Sequence, residues 1–318
     1  MPAGASQAGG QGGGHLRQRY DDDCGGDGVR IALPQLHHDQ AGFDALVDLW
    51  AKTEACFLDV IELDLSDATW IDADLCAPLG ALLYALGERI NTVKLLNIRP
   101  DVERALTQNG FLSIYGRKAV PDRWGTTLPY QQFDPKDDRY FADYVETKLI
   151  RRAELPVMSS ALLKKLSESL FEIFSNAVIH SSTEMGIFSC GQFFPKRDRL
   201  NFSVADLGIG IRRNVTETTG LTLDAAQAIE WATTGRNTTR RGAIPGGLGL
   251  KLLVQFVDLN GGSLQIVSDA GYWRRENGKS CIVQLTRPFP GTVVSVEINT
   301  ADQQSYVLAS EVEETDIF

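Results

Sequence analysis

From Glu172 through Asn176 to His180, a carboxylate, a carboxamide and an imidazole recur at four-residue spacing. Positions i and i+4 share one face of a helix, so these side chains project together if the segment is helical. Leu162, Leu163, Leu166, Leu170, Ile173, Phe174 and Ala177 recur at helical spacing around them, which predicts that helix. Two glycine-rich segments follow, Asp206-Leu-Gly208-Ile-Gly210-Ile211 after a strand-like run and Gly246-Gly247-Leu248-Gly249-Leu250 at the head of a helix-like one. Glycines at such turns let the backbone take positive φ and approach a ligand closely. A helix N-terminus adds unpaired N–H groups and a positive dipole suited to an anion. A carboxylate and a carboxamide one turn apart, upstream of two such loops, point to a magnesium-nucleotide site.

Two familiar phosphate motifs do not account for the pattern. A dinucleotide fingerprint needs a third glycine where Arg213 stands, and a P-loop needs Lys and Ser/Thr after its last glycine, where Leu250 stands. The three segments taken in order, E-x-x-x-N-A at Glu172 to Ala177, D-x-G-x-G at Asp206 to Gly210 and G-G-L-G-L at Gly246 to Leu250, resemble the GHKL superfamily of gyrase, heat-shock chaperone, histidine-kinase and mismatch-repair ATPases. The resemblance spans roughly Ser159 to Arg287. It implies a Bergerat-type ATP-binding domain with ATP and Mg²⁺ as cofactors. Asn176 would be the metal ligand, its amide offering the hard oxygen that Mg²⁺ prefers. Glu172 would be the catalytic residue, orienting and deprotonating a water or a substrate hydroxyl. Asp206 would accept from the adenine amino group, Gly208 and Gly210 would keep the base pocket open, and Gly247, Leu248 and Gly249 would cradle the phosphates. His180 reads as a structural residue at the helix C-terminus, where a cation is favoured. The Thr/Gly/Arg-rich stretch from Thr233 to Arg241 would be a lid, with Arg236, Arg240 or Arg241 neutralising phosphate charge.

The elements that must position these residues fall into two α/β sandwich domains. Residues 1–28 are Gly-rich with an Asp21-Asp22-Asp23 run, the composition of a disordered tail. From Val29, strand and helix patterns alternate as far as residue 118, the order of a small α/β layer domain. Pro100 and Gly110 bracket a helix within it. Between 119 and 139 the turn residues Pro121, Gly125, Pro129 and Pro135 predict a linker. Residues 140–300 read as the ATP-binding domain and 301–318 as an acidic tail, loose over its last dozen residues. Within the first domain, the run from Leu63 to Cys76 resembles STAS domains such as anti-sigma-factor antagonists, in which a serine is phosphorylated by a GHKL partner kinase. Asp74 stands at that serine's position, and its fixed negative charge would imitate the modified state.

Charge and cysteines narrow the function classes. The 318 residues carry a formal net charge of -10, which disfavours binding to nucleic acid or an anionic membrane surface. Cys24, Cys56, Cys76, Cys190 and Cys281 are odd in number and form no C-x-x-C pair, so neither a zinc site nor a disulfide framework is expected. No signal core or membrane span stands out, and a cytoplasmic location is expected. A sensor histidine kinase would need a phosphoacceptor on a helix hairpin, but only His15, His37 and His38 precede the first motif. Gyrase-like ATPases add a further domain after the third motif, for which the residues after Arg287 are too few. The anti-sigma type of serine/threonine kinase is the nearest relative by resemblance. The expected function is an ATP-binding regulatory protein, either a slow ATPase or a kinase of a partner's Ser/Thr. That partner would be a STAS protein or another regulator, and the chain a homodimer. The alternative is a non-catalytic nucleotide sensor whose ATP-ordered lid controls partner binding.

Overall fold

A computed structural model describes residues 28–181, 185–234 and 248–311. The first unit runs β1 (Val29–Ala32), α1 (Gln40–Thr53), β2 (Val60–Asp64), a 3₁₀ turn (Ala73–Leu75), α2 (Cys76–Glu88), β3 (Thr92–Leu96) and α3 (Pro100–Gln108). Its three strands form a parallel sheet in the order β1-β2-β3. Local chemistry sets the ends of its helices. The Asp39 side chain accepts from Gly42 N at the start of α1, Pro100 opens α3, and Gly110 at φ 85° turns the chain after it. Alternate residues of β2 and β3 are buried, while the other face carries the Arg30–Asp64 and Lys94–Glu62 pairs.

The second unit comprises β4 (Thr127–Phe133), α4 (Asp138–Val145), α5 (Ser160–Ser181), β5 (Ile187–Phe194), β6 (Arg199–Asp206), α6 (Gly210–Thr219), α7 (Ala225–Thr233), α8 (Leu248–Asn260), β7 (Ser263–Glu276) and β8 (Lys279–Asn299). Its antiparallel sheet has the order β4-β5-β6-β8-β7. The chain is therefore mixed α/β, with one parallel and one antiparallel sheet.

Both faces of the antiparallel sheet are covered. On one, Leu200, Phe202 and Val204 of β6 and Val294, Val296 and Ile298 of β8 pack with α5 and α8 residues such as Phe174, Leu253 and Phe256. On the other, Phe188, Cys190, Ala205, Val267 and Val293 join Phe43, Leu46, Leu79 and Leu82 from α1 and α2 in a second core. The two units are thus joined through one hydrophobic cluster, because the first unit's helices bury the back of the second unit's sheet.

Several local expectations change. The predicted linker at 119–139 contains β4, which pairs with β5 at the sheet edge. Its Pro129 is accommodated there, beside a register shift between Leu128 and Gln131. A helix, α6, occupies what the glycines made look like a turn only. β7 and β8 form one long hairpin, closed at Asn277 and Gly278, whose φ values are 50° and 72°. Two positive φ angles are the mark of a tight primed turn, which Asn-Gly favours. Residues 301–311 are not loose: Tyr306 is buried against Phe256, its hydroxyl donates to Asp302, and Glu311 accepts from Ser159. Residues 1–27 of the expected tail lie outside the described residues.

Phe188 is fully buried beside Tyr84, with ring centroids 5.6 Å apart, on the face that joins the units. Phe188→Ala is expected to destabilise the chain by about 3–5 kcal/mol. Calorimetry should show one transition moving down as a whole. Two separated transitions, one of them unmoved, would contradict the joint core.

Candidate functional site

The long helix α5 holds Glu172 and Asn176 one turn apart, both half-buried. Its apolar stripe, Leu166, Leu170, Ile173, Phe174 and Ala177, is buried in the sheet-facing core. That burial fixes the helix rotation and leaves the Glu172/Asn176 stripe to one side. Helix α5 packs on α8, β6 and α6. At the α8 contact, Glu172 Oε2 accepts a 2.9 Å hydrogen bond from Gly249 N across 77 residues of sequence. A side chain on Gly249 would place its Cβ 2.7 Å from Glu172 Oε2 and 3.1 Å from Ser169 Cα. Glycine is needed there for helix–helix approach, a reason separate from any phosphate contact. The bond brings the first motif and Gly249 of the third together. It also occupies a backbone N–H that had been assigned to phosphate, so in this conformation a carboxylate oxygen stands where an anion would bind.

Asp206 ends β6 and is 7% exposed. Gly208 N donates to its Oδ1 at 2.8 Å, closing the turn. Burial pushes the Asp206 carboxyl up to about 7, against the backbone N–H bonds from Gly208 and Thr292 that favour the ionised form. Gly210 has φ 76°, a left-handed value that glycine adopts without strain. Its α6 opens with Ile211 N donating to Ser268 Oγ at 2.8 Å. Gly208 and Gly210 thus shape a half-buried turn beside α5. Gly246, Gly247, Arg236, Arg240 and Arg241 lie outside the described residues, as do the side chains of His180 and Leu248.

The donor set suits a magnesium nucleotide in two respects. The α8 N-terminus already holds an anionic oxygen, and the buried Asp206 carboxylate is an acceptor for a base amino group. Asn176 offers a neutral amide oxygen on the same helix face as Glu172. Among the described residues no cluster of three or more His, Cys, Asp or Glu has metal-binding geometry, so an ion here would draw its remaining ligands from phosphate and water.

A second polar cluster was not legible in the sequence. Asp74, expected as a fixed charge for partner recognition, is fully buried at the seam between the units. His38 Nδ1 donates to Asp74 Oδ2 at 2.6 Å, and Ser203 Oγ donates to the same oxygen at 3.1 Å. Its charge is directed into this chain, which corrects the phosphomimetic reading. Ser203 and Ser295 oxygens are 2.6 Å apart on neighbouring strands. The only sequence signal was the polar alternation Asn201, Ser203 in β6 and Ser295, Glu297 in β8. No family model matches the chain, and no curated protein matches it.

The raised Asp206 value has a direct consequence. Ionising this group costs more in the folded chain than in the unfolded one, so its contribution to stability falls as pH rises from the ordinary carboxylate range to about 7. Asp206→Asn removes that penalty. Across this window the variant is expected to gain thermal stability relative to the parent, by on the order of a few kcal/mol when ionisation is complete. A parallel pair of pH–stability curves would contradict the assignment.

Proposed function

We propose that the chain is an ATP-binding regulatory protein of the GHKL type carrying a STAS-like first unit, and that it uses Mg-ATP for slow hydrolysis or to phosphorylate a partner on Ser/Thr. The observation that carries this reading is the Glu172–Gly249 bond, which joins two of the three motifs at a helix N-terminus. Supporting it are the half-buried glycine turn after Asp206 and an antiparallel sheet with α5 and α8 on one face. The parallel βαβαβ order of the first unit agrees with a STAS-like layer. Mg-ATP would supply the transferable phosphoryl group, with its charge screened by the metal.

In this reading Asn176 holds the metal through its amide oxygen, and Asp206 accepts from the adenine amino group. Glu172 exchanges the Gly249 N–H for a water or hydroxyl proton, releasing that N–H to phosphate. The same bond favours a second reading, a non-catalytic sensor, in which Glu172 remains the cap of α8 and nucleotide acts only by ordering the segment ahead of that helix. The partner in either case is a regulatory protein, and the chain a homodimer.

Turnover separates the two. Glu172→Gln should retain nucleotide affinity within a few-fold and lose phosphate release or phosphotransfer by about 10²-fold or more, scored with γ-labelled ATP and candidate partner proteins. Equal turnover by parent and variant would favour the sensor. Asn176→Ala should weaken Mg-ATP by about tenfold or more while changing metal-free ATP little. Equal losses with and without metal would remove Asn176 from the metal.

A further inference from the structure

The cluster at the seam lies apart from the proposed nucleotide residues and belongs to neither motif. His38 immediately precedes Asp39, the N-cap of α1, and is tied at three points. Its backbone N donates to Asp72 Oδ2 at 2.9 Å, its carbonyl accepts from Gln265 Nε2 at 3.1 Å, and its Nδ1 donates to Asp74 Oδ2 at 2.6 Å. Asp74 sits in the 3₁₀ turn before α2 and binds Ser203 of β6, which pairs with Ser295 of β8. Gln265 on β7 in turn accepts from the Tyr272 hydroxyl at 2.8 Å. The network therefore runs from the heads of α1 and α2 into three strands of the antiparallel sheet.

We propose that this network is a proton-dependent latch, holding the first unit on the back of the antiparallel sheet while His38 is protonated and loosening when the proton is lost. The His38 side chain is 5% exposed and that of Asp74 is 0% exposed, so water does not screen the pair. Deprotonation would leave the Asp74 carboxylate buried without its counter-charge, and a buried pair broken on one side is strongly destabilising. His38 Nε2 and Asp74 Oδ1 have no hydrogen-bond partner among the described residues. An imidazolium there leaves its Nε2–H unpaired, so its charge rests on Asp74, bonded at Nδ1.

The groups facing the imidazole are mostly anionic. The turn before α2 contributes Asp72 and Asp74 and β8 contributes Glu297, while His37 and Asp39 flank His38 in sequence. From β7 come Arg274, whose guanidinium reaches the His38 carbonyl at 3.4 Å, and Tyr272. Arg197 stands 3.5 Å from Asp72, and β6 presents the uncharged Asn201 and Ser203. Burial works against the imidazolium, but the charge and hydrogen bond of Asp74, with Glu297 and Asp72, outweigh it and hold the His38 pKa above its ordinary value. A raised folded-state pKa gives stability that is complete below the unfolded value and lost as pH rises through the folded one. The latch is closed on the acid side of that transition and weakened on the alkaline side.

Two measurements on the full chain test it. Imidazole NMR, with the His38 signal assigned by its loss in His38→Gln, should show titration above the free-imidazole value, and Asp74→Asn should bring that titration below it. Hydrogen exchange of α1 and β2 amides, corrected for intrinsic rates, should accelerate in the parent as pH rises above the free-imidazole value, by about tenfold per unit of pKa elevation. In His38→Gln, which retains Asp206, that acceleration should be absent. The same acceleration in parent and His38→Gln would overturn the latch, as would a His38 titration that Asp74→Asn leaves in place. If these variants fail to fold, the parent decides alone, with His38 assigned by through-bond correlation to its backbone: a His38 pKa at or below free imidazole overturns the proposal. Ser203→Ala, which keeps the ion pair and cuts one tie to the sheet, should speed α1 exchange at acid pH, and unchanged exchange there counts against the latch.

Discussion

A five-stranded antiparallel sheet with buried side chains on both faces has to be covered twice, and strand β6 is where the two covers meet. Its residues alternate without interruption: Leu200, Phe202 and Val204 lie under the helices of the second unit, while Asn201, Ser203 and Ala205 lie on the face buried by the first. Strict alternation is a property of the pleat, so neither face can be changed without displacing the other. The same strand ends at Asp206, on which the candidate nucleotide turn is built. Only Val204 and Ala205 separate Ser203, bonded to Asp74 at the seam, from Asp206 at the site.

The two polar centres share a physical logic. Each ties a carboxylate to a partner from a distant part of the chain. Glu172 is answered by a backbone N–H at the head of α8, and Asp74 by an imidazole and a serine hydroxyl. Among the described residues, backbone N–H groups of Gly208 and Thr292 are what offsets the burial of Asp206, and burial prevails, raising its pKa to about 7. Such groups respond to ligands and protons more readily than a fully paired interior does.

How far this was legible from sequence depends on the range of the interaction. The α3 boundaries were readable because Pro100 and Gly110 act on their own backbone. The rotation of α5 was readable because its leucines and Phe174 repeat at helical spacing, which placed Glu172 and Asn176 on one face. Helix α6 was hidden, since Gly208 and Gly210 signal a turn and the Ser268 hydroxyl that anchors the helix start comes from a distant strand. The Asn277-Gly278 pair carried a hairpin signal that apolar periodicity does not register. Edge strand β4 was masked by Pro129 within it and by the turn residues on either side. The His38–Asp74 pair was out of reach for a different reason: its partners are polar residues on a face that becomes interior only once α1 and α2 dock. Local sequence gives no sign of that docking, and an aspartate in a helix's first turn looks the same exposed or buried.

The central claim is that the Glu172, Asp206 and Gly249 elements form one nucleotide site that uses magnesium. Isothermal calorimetry of the full chain with ATP, with and without Mg²⁺, tests it most directly. The account predicts saturable binding at one site per chain, tighter with magnesium than without, and displaced by ADP. Absence of binding heat and of any thermal stabilisation by Mg-ATP at millimolar concentration would contradict it.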